Sequence, residues 1–275
     1  MVKSLQDTKT LNNGVEMPGF GLGVFKVWED DEARFSVQKA IENGYRLIDT
    51  ASFYDNEVGV GQGIKDSGVS RDELFVTTKV WNEEQGYDNT LRAFEASMNR
   101  LGLEYLDLYL VHWPVKDYYR DTWKAMERLV DEGLIRSIGV SNFKQRHLEH
   151  LMAGANVKPV VNQVEYHPHL QQQDVKAFCE QENIQLEAWS PLKQGQLLED
   201  ETIKKIADKH GKKPAQIILR WDVDMNVVTI PKSVKEHRII ENSDIFDFQL
   251  DQDDLAAIKA LNRDERVGPD PDQFG

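Results

Sequence analysis

A single cysteine, Cys179, stands among 275 residues. One thiol cannot close an internal disulfide, and such scarcity fits a reducing compartment. It sits in VKAFCEQE, a helical stretch where a buried, inert thiol is the expectation. Long apolar runs are missing as well. Nothing approaches the ~18 residues of a membrane span, and the opening MVKSLQDTKT lacks the apolar centre of a signal peptide. Positive charge is short: 33 Lys and Arg face 47 Asp and Glu, a net charge of −14. Such a balance argues against nucleic acid or an anionic membrane as partner. The expectation is a soluble, cytoplasmic protein in which any anionic ligand is held by a local cluster of Lys and Arg. No linker-like or low-complexity stretch divides the chain, so residues 1–275 read as one domain.

What is present is a series of eight apolar runs. PGFGLGV comes first and ends near Val24. Each of the other seven ends in a polar residue able to do chemistry: Asp49, Lys79, His112, Asn142, Glu165, Ser190 and Lys232. The spacing of mostly 23 to 33 residues is that of one strand, one helix and two loops. Eight such units predict an α/β fold, a (β/α)8 TIM barrel, whose active site lies at the C-terminal ends of the strands. Asn13-Gly14 predicts a β-hairpin before the first barrel strand, placed to cover one end of the barrel. Apolar periodicity predicts helices over 31–44, 87–102, 122–133, 172–183 and 251–262, with two more between the seventh and eighth strands. The tail VGPDPDQFG is expected to wrap over the surface.

Strand–helix alternation also fits a doubly wound sheet, but the dinucleotide fingerprint that should follow an early strand is absent. Gly19, Gly21 and Gly23 lie within a strand, where close packing is the expectation. Gly59, Gly61 and Gly63 open no helix directly after a strand.

Asp49, Lys79 and His112 end three consecutive strands, so a barrel brings them to one rim. The residues upstream are strongly apolar, and charge held there is costly unless paired, which makes Asp49–Lys79 the natural ion pair. Tyr54 follows in the loop after Asp49 and can lean into the same mouth. An ammonium beside a phenol favours the phenolate, so Lys79 is expected to lower the Tyr54 pKa from about 10 toward neutrality. With His112 donating from a third side, the set suits protonation of an oxyanion formed as a carbonyl is reduced. Phe25, Phe53, Trp81 and Trp113 flank strand ends or catalytic residues and are expected to wall a small-molecule pocket, whereas Trp123 and Trp221 sit inside helices and should pack. Lys232 and Arg238 form a local cationic site suited to phosphate, which Arg grips with a bidentate fork. His167 and His169, and His147 and His150, match no metal-ligand spacing, so no metal is expected.

The motifs GFGLGVFKV, GYRLIDTASFYDNEVGVG, LFVTTKVW, LDLYLVHWP, GLIRSIGVSNF, VNQVEYHP, LEAWSPL and TIPKSVKEHRIIEN occur in this order along the whole chain. In them the sequence resembles the aldo-keto reductase superfamily, most nearly the small bacterial 2,5-diketo-gluconate and glyoxal or methylglyoxal reductases. The resemblance implies a tetrad of Asp49, Tyr54, Lys79 and His112, with Tyr54 as general acid and His112 orienting the carbonyl. It implies NADPH bound across the barrel mouth without a Rossmann domain. Ser141, Asn142 and Gln163 would bind the carboxamide, and Trp189, where many relatives have Tyr, would stack on the nicotinamide. Ser190 and Leu192 would lie along the pyrophosphate. Lys232, Ser233 and Arg238 would hold the 2′-phosphate, and Glu241 and Asn242 the adenine. The partner would be a small carbonyl compound; a monomer is common among similar proteins. Two other readings stay open: a sensory barrel that retains NADPH without turnover, and a Schiff-base aldolase using Lys79.

Overall fold

The computed structural model describes residues 2–274. Ten strands follow in order: β1 (Thr8–Thr10), β2 (Glu16–Pro18), β3 (Gly21–Gly23), β4 (Leu47–Asp49), β5 (Phe75–Val80), β6 (Leu106–Val111), β7 (Ile135–Ser141), β8 (Val161–Glu165), β9 (Gln185–Trp189) and β10 (Val228–Thr229). β1 and β2 form an antiparallel hairpin. β3 to β10 form one parallel sheet in sequential order. A parallel bridge from Phe20 to Thr229 and the hydrogen bond from Gly23 N to Pro231 O join its two edges, so the sheet closes into an eight-stranded barrel. This is the expected TIM barrel, and it removes the doubly wound alternative. The eight run ends lie within about three residues of the observed strand ends.

Alternation along each strand sorts the side chains. Leu47, Phe75, Leu108, Leu110, Val161, Val228 and Ile230 pack together inside the barrel, and Leu11 and Met17 of the hairpin join them, closing its floor as expected. Ile48, Val76, Tyr109, Val111, Ile138 and Val140 belong to the larger core between barrel and helices. The period of two then carries the inward face upward from Leu47 to Asp49, from Phe75 through Thr77 to Lys79, and from Val161 to Gln163. The apolar lower layers thus hold the polar upper layer in place.

The expected helices form at Asp30–Glu42, Tyr87–Leu101, Tyr119–Asp131, Gln173–Gln181, Glu201–His210, Pro214–Asp224 and Gln252–Lys259. Four more form where periodicity gave no lead, at Glu57–Asp66, Gln145–Met152, Glu236–Ser243 and the single turn Pro271–Phe274. The first contains Gly59, Gly61 and Gly63, poor helix formers that packing requires here. A Cβ on Gly59 would run into Asp30 O, and one on Gly61 would run into Leu101 O. Backbone thus touches backbone on both neighbouring helices. Close packing also explains β3, where a Cβ on Gly23 would lie 2.8 Å from Ile230 O. Cys179, Trp123 and Trp221 are buried as expected.

Candidate active site

β4, β5 and β6 deliver Asp49, Lys79 and His112 to one end of the barrel, and the short turn Ser52–Tyr54 returns Tyr54 over them. Lys79 Nζ lies 2.6 Å from Asp49 Oδ1, 2.9 Å from Thr50 O and 3.3 Å from the Tyr54 hydroxyl. The Tyr54 and His112 rings stand edge to face with centroids 5.8 Å apart. Lys79 is fully buried and Asp49 nearly so, so the expected ion pair exists. Burial, the largest effect, pushes the Lys79 amine down, but Asp49, Tyr54 and Glu187 together outweigh it and the lysine ends above its ordinary value. Burial pushes the Asp49 carboxyl up, against the pull of Lys79. Lys79 therefore carries a fixed positive charge, which removes the neutral amine a Schiff base needs.

Tyr54 departs from expectation. Lys79 does pull its pKa down, but burial is the larger effect and pushes the phenol up to about 12. Asp49, neutralising Lys79, adds to the rise. Tyr54 is thus a protonated phenol throughout the neutral range. Burial and then Lys79 hold His112 well below the ordinary imidazole range. It is a neutral ring whose Nδ1 is buried without a partner among the described residues, which leaves Nε2 to serve a ligand.

Aromatic rings wall this end. Phe53 stacks on Trp81 with centroids 3.8 Å apart, Trp81 meets His112 at 5.0 Å, and Phe25 meets Tyr54 at 5.0 Å. Two wall residues escaped sequence reasoning. Trp28 packs edge-on against Phe25 at 6.1 Å and is more than half exposed. Phe274, near the chain end, packs 4.6 Å from Trp113 and 6.2 Å from Trp81. The tail does cross the surface, but it ends at the mouth. Glu165 steers it there: its carboxylate accepts the Val267 N–H at 2.6 Å and the Gly268 N–H at 3.0 Å, with His167 at 3.0 Å. Lys144 adds ion pairs to Asp270 and Asp272. One run end, Glu165, therefore anchors the chain.

The residues expected at a nicotinamide ring adjoin the tetrad. Ser141 Oγ donates to Gln163 O at 2.8 Å, Asn142 Nδ2 donates to His112 O at 3.0 Å, and Trp189 Nε1 donates to Asn142 Oδ1 at 2.9 Å. That last bond uses the indole N–H, a donor that a tyrosine ring lacks. Trp189 and Ser190 are half-buried, Leu192 likewise, and Ser190 takes a left-handed φ of 50° to turn the chain across the mouth. Lys232 and Arg238 are exposed beside the N-terminus of Glu236–Ser243, and neither side chain has an acidic partner among the described residues. In a chain of charge −14, two cations left unpaired at a helix start fit a phosphate. Ser233 and Asn242 are buried next to them, whereas Glu241 is engaged by Lys213 of the neighbouring helix. The donors, the half-buried indole and the free cations together fit a nicotinamide dinucleotide phosphate.

Comparison with known proteins agrees with this geometry. Residues 19–263 match the aldo/keto reductase family. The glyoxal reductase of Bacillus subtilis is 64% identical over 274 residues, covering 100% of this chain and 99% of that protein. The methylglyoxal reductase DkgA of Escherichia coli is 48% identical over 269 residues, covering 96% and 97%. Among solved structures, a mutant of Gox0644 in complex with NADPH superposes with a TM-score of 0.94 at 46% identity, covering 98% of this chain and 99% of that one. The aldo-keto reductase MGS-M4 from a deep-sea metagenome gives 0.95 at 46% identity, covering 98% and 100%. No described helix is long and apolar enough to cross a membrane. With likeness running the length of the chain, and with Asp49, Lys79 and His112 at the strand ends beneath Tyr54, the protein belongs to the aldo/keto reductase family.

Proposed function

We propose that this protein reduces aldehydes and ketones to alcohols with NADPH, taking small dicarbonyls of the glyoxal and methylglyoxal type, aromatic aldehydes and keto-sugars. One observation carries the reading. The Lys79 ammonium is clamped between Asp49 at 2.6 Å and the Tyr54 hydroxyl at 3.3 Å, under an aromatic wall. NADPH, when bound, supplies the hydride. The chain's residues do the rest. His112 Nε2 donates to the carbonyl oxygen and orients it. Tyr54 gives its proton to that oxygen as the bond to carbon forms. A phenol near 12 is a competent donor, because an alkoxide's conjugate acid is about as weak as water, with a pKa of ~15.7. Lys79 stabilises the phenolate left behind, and Asp49 keeps Lys79 charged and aimed. The aromatic wall excludes water, which strengthens each of these interactions.

Asn142, Gln163 and Ser141 hold the carboxamide, Trp189 stacks on the ring, Ser190 and Leu192 follow the pyrophosphate, and Lys232, Ser233 and Arg238 bind the 2′-phosphate. Asn242 lies toward the adenine, with Glu241 sharing that role only as far as Lys213 releases it. We place this activity in the cytoplasm, in a monomer. Steady NADPH oxidation with methylglyoxal or a substituted benzaldehyde tests the reading. NADPH binding without turnover would instead favour a sensory role.

A further inference from the structure

Beneath the tetrad lies a carboxyl that none of these roles uses. Glu187 is on β9, two residues before Trp189, and it faces the same way into the barrel. It is fully buried. Its Oε2 accepts from Gln163 Nε2 at 2.9 Å, and the same nitrogen donates to Asp49 Oδ2 at 2.7 Å. Its Oε1 has no partner among the described residues. Both amide hydrogens of Gln163 are therefore engaged by carboxyl oxygens. Flipping that amide would set its carbonyl against the Asp49 carboxylate, an acceptor, so the orientation is fixed. The carbonyl oxygen of Gln163 is the end left for a ligand, and it can accept from a carboxamide NH2.

Charge points the same way. Lys79 already balances Asp49. From β10 the residue in register with Glu187 is the apolar Val228. The ionisable groups that face Glu187 are Asp49 and Lys79, with Tyr54 beyond them. A second carboxylate in this closed space would have no cation of its own. Burial, and then Asp49, push the Glu187 carboxyl up to about 8.

We propose that Glu187 is a positioning residue: acting through Gln163, it fixes the end of that amide offered to the nicotinamide carboxamide, and by keeping or losing its own proton it sets the charge beneath Tyr54. This rests on the reading of Gln163 as carboxamide holder and Tyr54 as proton donor. When Glu187 ionises, the added negative charge raises Tyr54 further, and the phenol becomes a weaker acid. Carbonyl reduction slows as pH rises through the Glu187 transition.

The test compares the unsubstituted protein with Glu187→Gln and Glu187→Leu. A glutamine can still accept from Gln163 but cannot titrate, while a leucine can do neither. In the unsubstituted protein, kcat for methylglyoxal reduction should fall by about threefold or more between pH 7 and 9. In E187Q the profile should stay level across that range. NADPH should bind E187L about threefold or more weakly than E187Q, the cost of one lost hydrogen bond. A readout without cofactor comes from infrared difference spectra between pH 6 and 9. The unsubstituted protein should lose a protonated-carboxyl band that E187Q lacks. A pH fall that persists in E187Q, equal NADPH affinity in the two variants, or no such band would each overturn the proposal. An unsubstituted protein that oxidises no NADPH at any pH would fail at the earlier step, overturning the reductase reading itself.

Discussion

At the scale of single residues, the site depends on one ion pair that water cannot reach. Lys79 and Asp49 are 2.6 Å apart, with side-chain exposures of 0% and 3%. Removing one partner from such a pair costs about 3–5 kcal/mol, because the other charge is left buried and uncompensated. Asp49→Asn keeps the volume and removes the charge. It should lower the unfolding free energy by about that amount in a denaturant titration; a loss under about 1 kcal/mol would mean that the pair is not what holds Lys79 in place. Arg238 belongs to the same scale but acts only on ligand. Its free guanidinium matches a 2′-phosphate, and hydrogen bonds to charged groups contribute about 1.5–3 kcal/mol. Arg238→Ala should therefore weaken NADPH by roughly 10- to 100-fold while leaving NADH nearly unchanged. Equal weakening of both cofactors, measured by fluorescence titration, would show that the phosphate lies elsewhere.

At the scale of elements, strand parity does most of the positioning. A residue two or four places above a core leucine or phenylalanine inherits its inward direction, which is how Leu47 places Asp49 and Phe75 places Lys79. This much was legible in the sequence, because strongly apolar runs ended in groups of complementary charge. The helix Glu57–Asp66 was not, since its three glycines read locally as loop. Their reason is tertiary: the helix lies against backbone on both sides. Adding a methyl at Gly61 forces the helix away from Leu101 O, and overpacking of this kind costs about 1–3 kcal/mol. Gly61→Ala should accordingly lower the melting temperature by several degrees, roughly 2–4 °C per kcal/mol in a chain near this size. An unchanged or higher melting temperature would show that the contact relaxes freely.

At the scale of the whole molecule, the parts that sequence reasoning missed are those set by distant segments meeting. Nothing near Phe274 signals that it comes to rest on Trp113. That contact follows from Glu165 gripping the backbone of Val267 and Gly268, a hydrogen-bond pattern with no local signature. The Tyr54 pKa departs from its expected direction for a related reason. Residue types reveal that a lysine is near, but the depth of burial that outweighs it comes only from the closed barrel. Glu187 was visible in LEAWS, yet its meeting with Gln163 and Asp49 needs three strands to converge.

The central claim is that Tyr54 delivers the proton while the rest of the site binds and orients. Tyr54→Phe removes only the hydroxyl. NADPH oxidation with methylglyoxal should be steady in the unsubstituted protein and fall at least ~100-fold in the variant. NADPH affinity should stay within about twofold, since no cofactor contact is lost. Turnover in Tyr54→Phe comparable to that of the unsubstituted protein would contradict the account outright.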